Sequence, residues 1–280
     1  MKIRSNVHTH TSFCDGKNSV EEMARAAIDL GFVSLGYSIH GWTPYETVPV
    51  TLEKEALYRD EVRRVREKYL GQIEILLGAE RDALYPRDFS QYEYLIDSTH
   101  YFPADGAYIC VDYSAANMEE MVRRHFGGDY YAYCRAYFRR EAEVCATSDA
   151  AFIGHIDLVS KFNEGGRFFD ETSREYLAPA LEAMEYLVGE GVPFEVNCGA
   201  MARGIRSQPY PRRELLCALH EMGGQILVNS DAHSADLLCR GLDEGARFAV
   251  SCGFASALIL GHDARGAVVM REVALEEAAQ

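Results

Sequence analysis

The sequence predicts a single barrel-like α/β domain spanning residues 1–280, and three observations carry that prediction. Short β-branched or apolar runs alternate with longer amphipathic stretches, the pattern of repeated β-α units around a parallel sheet. No Pro/Gly/Ser-rich linker interrupts the alternation, and 280 residues with 48% hydrophobic content suffice for one large core. Polar residues of metal-ligating type recur where the apolar runs stop.

Strands are expected near Ile3–Val7, Val33–Tyr37, Glu74–Leu77, Tyr94–Ile96, Ala151–Gly154, Pro193–Val196 and Gln225–Val228, with an eighth candidate at Ala257–Leu260. The first helix should begin after Ser19, which has Glu22 at capping-box spacing, and stop near Gly31 before the next apolar run. Further helices fit Leu52–Tyr69, Tyr130–Cys145, Ser173–Glu190, Arg212–Glu221 and Ala235–Cys252. Between His100 and Asp129 the pattern is irregular, so a long loop reaching over the site is expected there. The acidic tail from Glu272 is read as a solvated end, and there is no internal repeat or low-complexity tract.

The 28 basic and 43 acidic residues give a net charge of −15, which disfavours a nucleic-acid partner and suits a small-molecule substrate. The N-terminus, Met-Lys-Ile-Arg-Ser-Asn-Val-His, has no apolar leader, and no apolar run approaches the roughly 20 residues of a spanning helix. A cytoplasmic location is therefore expected. The eight cysteines are scattered without a Cys-x-x-Cys pair, so they read as reduced, packed thiols.

The chemistry begins at His8 and His10, two apart at the end of the first strand, where alternation points both side chains the same way. Asp15, His40, Glu80, His100, His155, Asp231 and His233 follow later apolar runs in the same manner. In a parallel barrel all strand C-termini open onto one face, so these residues can converge although they are distant in sequence. Imidazole and carboxylate donors without thiolate suit zinc, manganese or iron, and nine candidates exceed what one ion needs. Two or three ions, a carboxylate bridging one pair, would use them all in the manner of phosphoryl hydrolysis.

The ordered segments His8-Thr-His-Thr-Ser-Phe-Cys-Asp15-Gly, Ser38-Ile-His40, Gly78-Ala-Glu80, Ser98-Thr-His100, Gly154-His155-Ile-Asp157 and Ser230-Asp-Ala-His233-Ser resemble the polymerase and histidinol phosphatase (PHP) superfamily. Within it the chain is similar to the barrel-type histidinol-phosphate phosphatases. The resemblance spans residues 3 to about 245. It implies a distorted seven-stranded β/α barrel of TIM type with a trinuclear site. His8, His10, Glu80 and Asp231 would hold the first ion. Glu80 would bridge to a second held by His100 and His155, and Asp15, His40 and His233 would hold the third. The implied reaction is hydrolysis of a phosphate monoester, L-histidinol phosphate above others, by an in-line hydroxide held between metals by Glu80, Asp231 and His10. This branch serves histidine biosynthesis. Two features depart from it: Ala202 stands where a basic residue is expected, and Tyr101–Tyr113 does not follow the branch pattern.

Lys161 and Arg203, just past strand ends, are candidate phosphate contacts, with Arg206 a weaker third. Asn197 would orient a water or substrate hydroxyl or else satisfy a turn, and Asp157 could orient a ligand histidine. Trp42 could wall the pocket or anchor a loop, and His125, His220 and His262 lie away from strand ends and outside the site. Rival readings are another phosphoesterase of the same superfamily, an amidohydrolase-like barrel with two ions, and a metal-binding barrel without catalysis.

Overall fold

The computed structural model describes residues 3–43, 50–82, 87–145 and 149–275. The alternation seen in the sequence becomes β1 (Ser5–Asn6), α1 (Val20–Asp29), β2 (Ser34–His40), α2 (Leu52–Lys68), β3 (Glu74–Asp82) and β4 (Tyr94–Ser98). An antiparallel hairpin follows, β5 (Tyr101–Ala104) with β6 (Ala107–Cys110), then α3 (Ala115–His125) and α4 (Tyr130–Cys145). Next come β7 (Phe152–Ile153), α5 (Arg174–Gly189), β8 (Phe194–Asn197), α6 (Gly199–Ala202), α7 (Arg213–Glu221), β9 (Ile226–Asn229) and α8 (Leu242–Ser251). A second hairpin, β10 (Ser256–His262) with β11 (Val268–Ala274), ends the described chain. The Ser19–Glu22 capping box forms as predicted, its two groups satisfying backbone donors that the first turn leaves open.

Among the described residues, β1-β2-β3-β4-β7-β8-β9 form one parallel sheet in that order. It curls into a nearly closed barrel, the predicted fold class. Closure between β1 and β9 is made largely by side chains. Asn229 Oδ1 accepts from the Val7 N–H at 2.9 Å, and Asn6 Nδ2 donates to Ser230 Oγ at 2.6 Å. A single backbone bridge, Thr9 to Ala232, lies just above. Because side-chain amides stand in for a backbone ladder here, β1 has two residues rather than the five expected, and the barrel is distorted.

The barrel interior is apolar toward the strand N-termini. Val7, Leu76, Tyr94, Ile96, Phe152 and Leu227 pack there with Leu258 and Leu260 of β10. The Tyr94 hydroxyl donates to the carbonyls of Val7 (2.7 Å) and Tyr37 (3.1 Å). Its ring occupies space that a Cβ at Gly36 or Gly78 would take, so these two strand positions require glycine.

Four expectations change. The run Ala257–Leu260 is a strand, but it pairs antiparallel with β11 and packs against the barrel instead of joining it. Glu272 lies in β11, so the acidic tail begins within a paired strand, and residues 276–280 lie outside the described set. The irregular stretch after His100 is a hairpin and a helix, α3, capped by Ser114, whose side chain accepts from the Asn117 N–H. The helix expected over Ala235–Cys252 breaks into a 3-10 turn and α8, because Gly241 adopts φ 83° at the junction.

Glu141 of α4 is buried, and burial pushes its carboxyl up to about 8 against the lowering effect of Tyr137, His155 and Thr99. Folded protein therefore keeps a proton that the unfolded chain releases near 4.5. The resulting stability is full below pH 4.5 and is lost as pH rises toward 8, on the order of 4 kcal/mol in all. In chelator-treated protein, Glu141→Gln should unfold several degrees above the parent at pH 9, with the gap closing by pH 5. Parallel melting profiles across that range would refute this.

Candidate metal centre

Each predicted ligand sits at or beyond the C-terminal end of a barrel strand, or in the turn that follows it. His8 and His10 follow β1, and Asp15 lies in the turn before α1. His40 closes β2 and is paired in register with Glu80 of β3, which sets these side chains next to each other. His100 follows β4, its backbone N–H donating to Asp82 Oδ2 at 3.0 Å. His155 follows β7, while Asp231 and His233 follow β9. Asp231 holds φ 47°, a left-handed conformation that costs about 1–3 kcal/mol for such a residue and marks a position constrained by its neighbours.

Five of the six clustered histidines close on Glu80. Its Oε2 lies 3.2 Å from His8 Nε2, 3.4 Å from His10 Nε2 and 3.2 Å from His40 Nδ1. Its Oε1 lies 3.1 Å from His155 Nε2 and 3.4 Å from His100 Nε2. Asp231 Oδ1 approaches His10 Nε2 at 3.3 Å and His233 Nδ1 at 3.5 Å. Asp15 reaches His233 Nε2 at 2.9 Å and His40 Nε2 at 3.5 Å. The His10 ring is stacked between those of His40 and His233, at 4.4 and 4.3 Å.

The electrostatics match a cation site. Burial works against ionisation of Glu80 and Asp231, yet the surrounding imidazoles hold both well below the usual carboxylate range. Burial likewise lowers His8 and His40, but the adjacent carboxylates outweigh it and raise both. His10 falls to about 4, through burial first and then through His233 and His40. Protons on imidazoles thus balance buried carboxylates, the role a divalent cation takes when it displaces those protons.

The donor atoms also fit metal. His8 Nε2, His10 Nε2 and Glu80 Oε2 are buried without a hydrogen-bond partner among the described residues, although they face one another. Four sets place their donor atoms within 4.8 Å of each other: His10, Asp15, His40 and His233; His8, Glu80 and His155; His8, His10 and Asp231; His40, Glu80 and His100. This cluster can bind several metal ions.

The cluster forms the floor of a cavity of about 360 Å³. Lys161, Arg203, Tyr210 and Asp112 line its wall. Arg203 Nη1 is 3.2 Å from the Asp231 carbonyl, and Lys161 Nζ is 3.3 Å from Asp112 Oδ2. Three sequence expectations need correction. Asn197 is buried and does not line the cavity; its amide donates to Glu195 and its oxygen accepts from the Gly199 N–H, so it serves the turn and not a substrate. Asp157 accepts from the Arg212 N–H instead of meeting a histidine. Arg206 is buried in a bidentate pair with Glu171. Trp42 is absent from the cavity wall, as are His125, His220 and His262.

Two residues escaped the sequence reading. Glu195 carried a signal, a lone carboxylate inside the apolar run Val192–Val196, and it binds His8 Nδ1 at 2.8 Å. Asp112 carried none, because it lies between β6 and α3, where no periodicity assigns it a face.

The pattern of the PHP domain matches residues 6–198, more than half of the chain. The chain belongs to the PHP domain family. A Schizosaccharomyces pombe PHP relative, named "probable histidinol-phosphatase", is 25% identical over 96% of this chain and 93% of its own length. The Bacillus subtilis histidinol-phosphatase is 26% identical over 81% of this chain and 92% of its own. The crystal structure of Lactococcus lactis histidinol phosphate phosphatase, complexed with zinc, L-histidinol and phosphate, superposes with TM-score 0.68 at 15% identity. It covers 92% of this chain and 97% of that one, a likeness that establishes the shared PHP barrel fold. No described helix is long and apolar enough to cross a membrane.

Proposed function

We propose that this PHP protein hydrolyses a phosphate monoester, L-histidinol phosphate above others, with three divalent ions of zinc, manganese or iron. The observation that carries the reading is the convergence of six imidazoles and three carboxylates beneath a cavity whose wall carries Lys161 and Arg203. The names of the curated relatives supply the substrate. His8, His10, Glu80 and Asp231 would hold one ion, Glu80, His100 and His155 a second, and Asp15, His40 and His233 a third. Bound there, such ions supply Lewis-acid activation of water and of the phosphoryl oxygens. The chain supplies the rest. Arg203 and Lys161 neutralise the phosphate oxygens from the wall, and the barrel floor excludes bulk water.

Asp112 supports the amine-bearing substrate. Among the described residues it is the carboxylate on the cavity wall outside the nine clustered ones, and it is already ion-paired with Lys161. A substrate whose ammonium sits on the carbon next to the phosphoester methylene can meet Lys161 and Asp112 together, because these two groups are 3.3 Å apart. Asp112→Asn should lower kcat/KM for histidinol phosphate by about 10-fold while leaving an aryl phosphate without an ammonium within about twofold, since only the former loses a charge-assisted contact. Equal losses on both esters would remove Asp112 from recognition.

The proposal is tested by counting metals in protein purified without chelator and assaying phosphate release from histidinol phosphate, an aryl phosphate and a dinucleotide. Turnover of histidinol phosphate with about three ions is the expected result. Preference for another monoester would overturn the substrate, and activity on the dinucleotide alone would point to a phosphodiesterase. Two ions without phosphatase activity would favour the amidohydrolase-like reading.

A further inference from the structure

Glu195 lies on β8 beneath the cavity floor and is 0% exposed. Four donors converge on its two oxygens. Oε1 takes His8 Nδ1 at 2.8 Å and Asn229 Nδ2 at 3.0 Å, and Oε2 takes Asn197 Nδ2 at 2.8 Å and the His155 backbone N–H at 3.2 Å. The two amide NH2 groups and the backbone N–H can only donate, so the carboxylate acts purely as an acceptor. His8 must then carry a hydrogen on Nδ1, so Nε2, which faces Glu80 and Asp231 at 3.2 and 3.7 Å, is the nitrogen that would give its lone pair to a cation.

The same carboxylate ties together four barrel strands. His8 follows β1, His155 follows β7, Asn197 ends β8 and Asn229 ends β9. Of these residues, His8 offers a ring nitrogen to a common set with His10 and Asp231, whereas His155 meets Glu195 only through its backbone N–H. We infer that Glu195 is a positioning residue that fixes the ring orientation and tautomer of His8, and thereby sets the affinity of the ion that His8 would hold with His10, Glu80 and Asp231. Asn197 and Asn229 serve the same end by holding the carboxylate. The inference rests on the metal-binding part of the proposed function and is independent of the phosphoester.

Glu195→Gln is the direct test because it keeps the shape and turns one acceptor into a donor, which must then oppose two other donors wherever it points. The readouts are metal stoichiometry after dialysis and competition for Zn²⁺ against a chromophoric chelator. The expected result is a 10- to 100-fold weaker affinity for one ion, with the remaining ions held as in the parent, the magnitude usual for a partner of a ligating histidine. The His8 Nδ1 proton, observed by imidazole ¹H–¹⁵N correlation in the zinc-loaded protein, should lose its protection from solvent exchange. Unchanged affinities, or equal weakening of every ion alongside a lowered melting temperature, would overturn the inference in favour of a merely structural role. If Glu195→Gln does not fold, Glu195→Asp keeps both acceptors at a shorter reach and should show a smaller loss confined to one ion. Parent-like affinities in that variant would overturn it too. A parent protein that binds no divalent ion would sink the metal reading itself, a different outcome from either.

Discussion

Glu80→Gln should abolish phosphate release, lowering kcat/KM by about 10³-fold or more, and at least one ion should be missing from the purified protein. Five imidazoles approach the two oxygens of this one carboxylate within 3.4 Å. An amide in its place offers one neutral acceptor, while its NH2 group confronts ring nitrogens that it cannot bridge through a cation. The buried charge that offsets His8, His40 and His155 disappears with it, so the cluster loses both its bridge and its balance. The measurement is metal analysis alongside steady-state kinetics on folded protein. A variant that retains full metal content and more than a tenth of the activity would remove Glu80 from the bridging role.

Arg203→Ala should produce the second largest loss, about 10²- to 10³-fold in kcat with a smaller rise in KM. The guanidinium sits at the cavity wall, 3.4 Å from Asp231 Oδ2 and 3.1 Å from His233 Nδ1, so it borders the ligand cluster while facing the space a phosphoryl group would fill. Lys161→Ala should cost less, about 10-fold, because its ammonium is already partly neutralised by Asp112. Arg203→Lys should recover only part of the loss, since a single ammonium cannot reproduce the planar fork. Kinetics on the three variants check the ranking, and an Arg203→Ala variant within threefold of the parent would exclude a role for Arg203 in charge stabilisation.

How much of this was readable beforehand depends on whether a residue's position follows from backbone periodicity. His8, His10, His40, Glu80, His100, His155, Asp231 and His233 all mark the stop of an apolar strand run, and parallel topology alone brings such stops to one face. Asp15 lies in the turn after the first of them. Asp112 has no such anchor, and only the tertiary placement of the β5–β6 hairpin and α3 carries it to the wall. Asn197 misled for the converse reason. Its place at a strand end suggested the cavity, and it does share a face with Glu195 two residues before it, but its amide is spent on that carboxylate. The apolar run at Ala257–Leu260 has the composition of a barrel strand, and no local feature says that its partner is antiparallel β11. Barrel closure through the Asn6 and Asn229 side chains is likewise invisible to hydrophobic pattern.

Among the described residues, the Tyr94 ring, seated over Gly36 and Gly78 with the β10–β11 hairpin packed beneath, fills the barrel below the ligand cluster. Traffic above such a plug has an order. A phosphoester enters with its phosphate leading toward the ligand cluster, and after cleavage the alcohol stands between the anion and the exit. On the proposed reaction the alcohol would depart first and inorganic phosphate, the deeper fragment, last. Free phosphate would then contend with incoming ester for the same seat, and its accumulation would slow turnover.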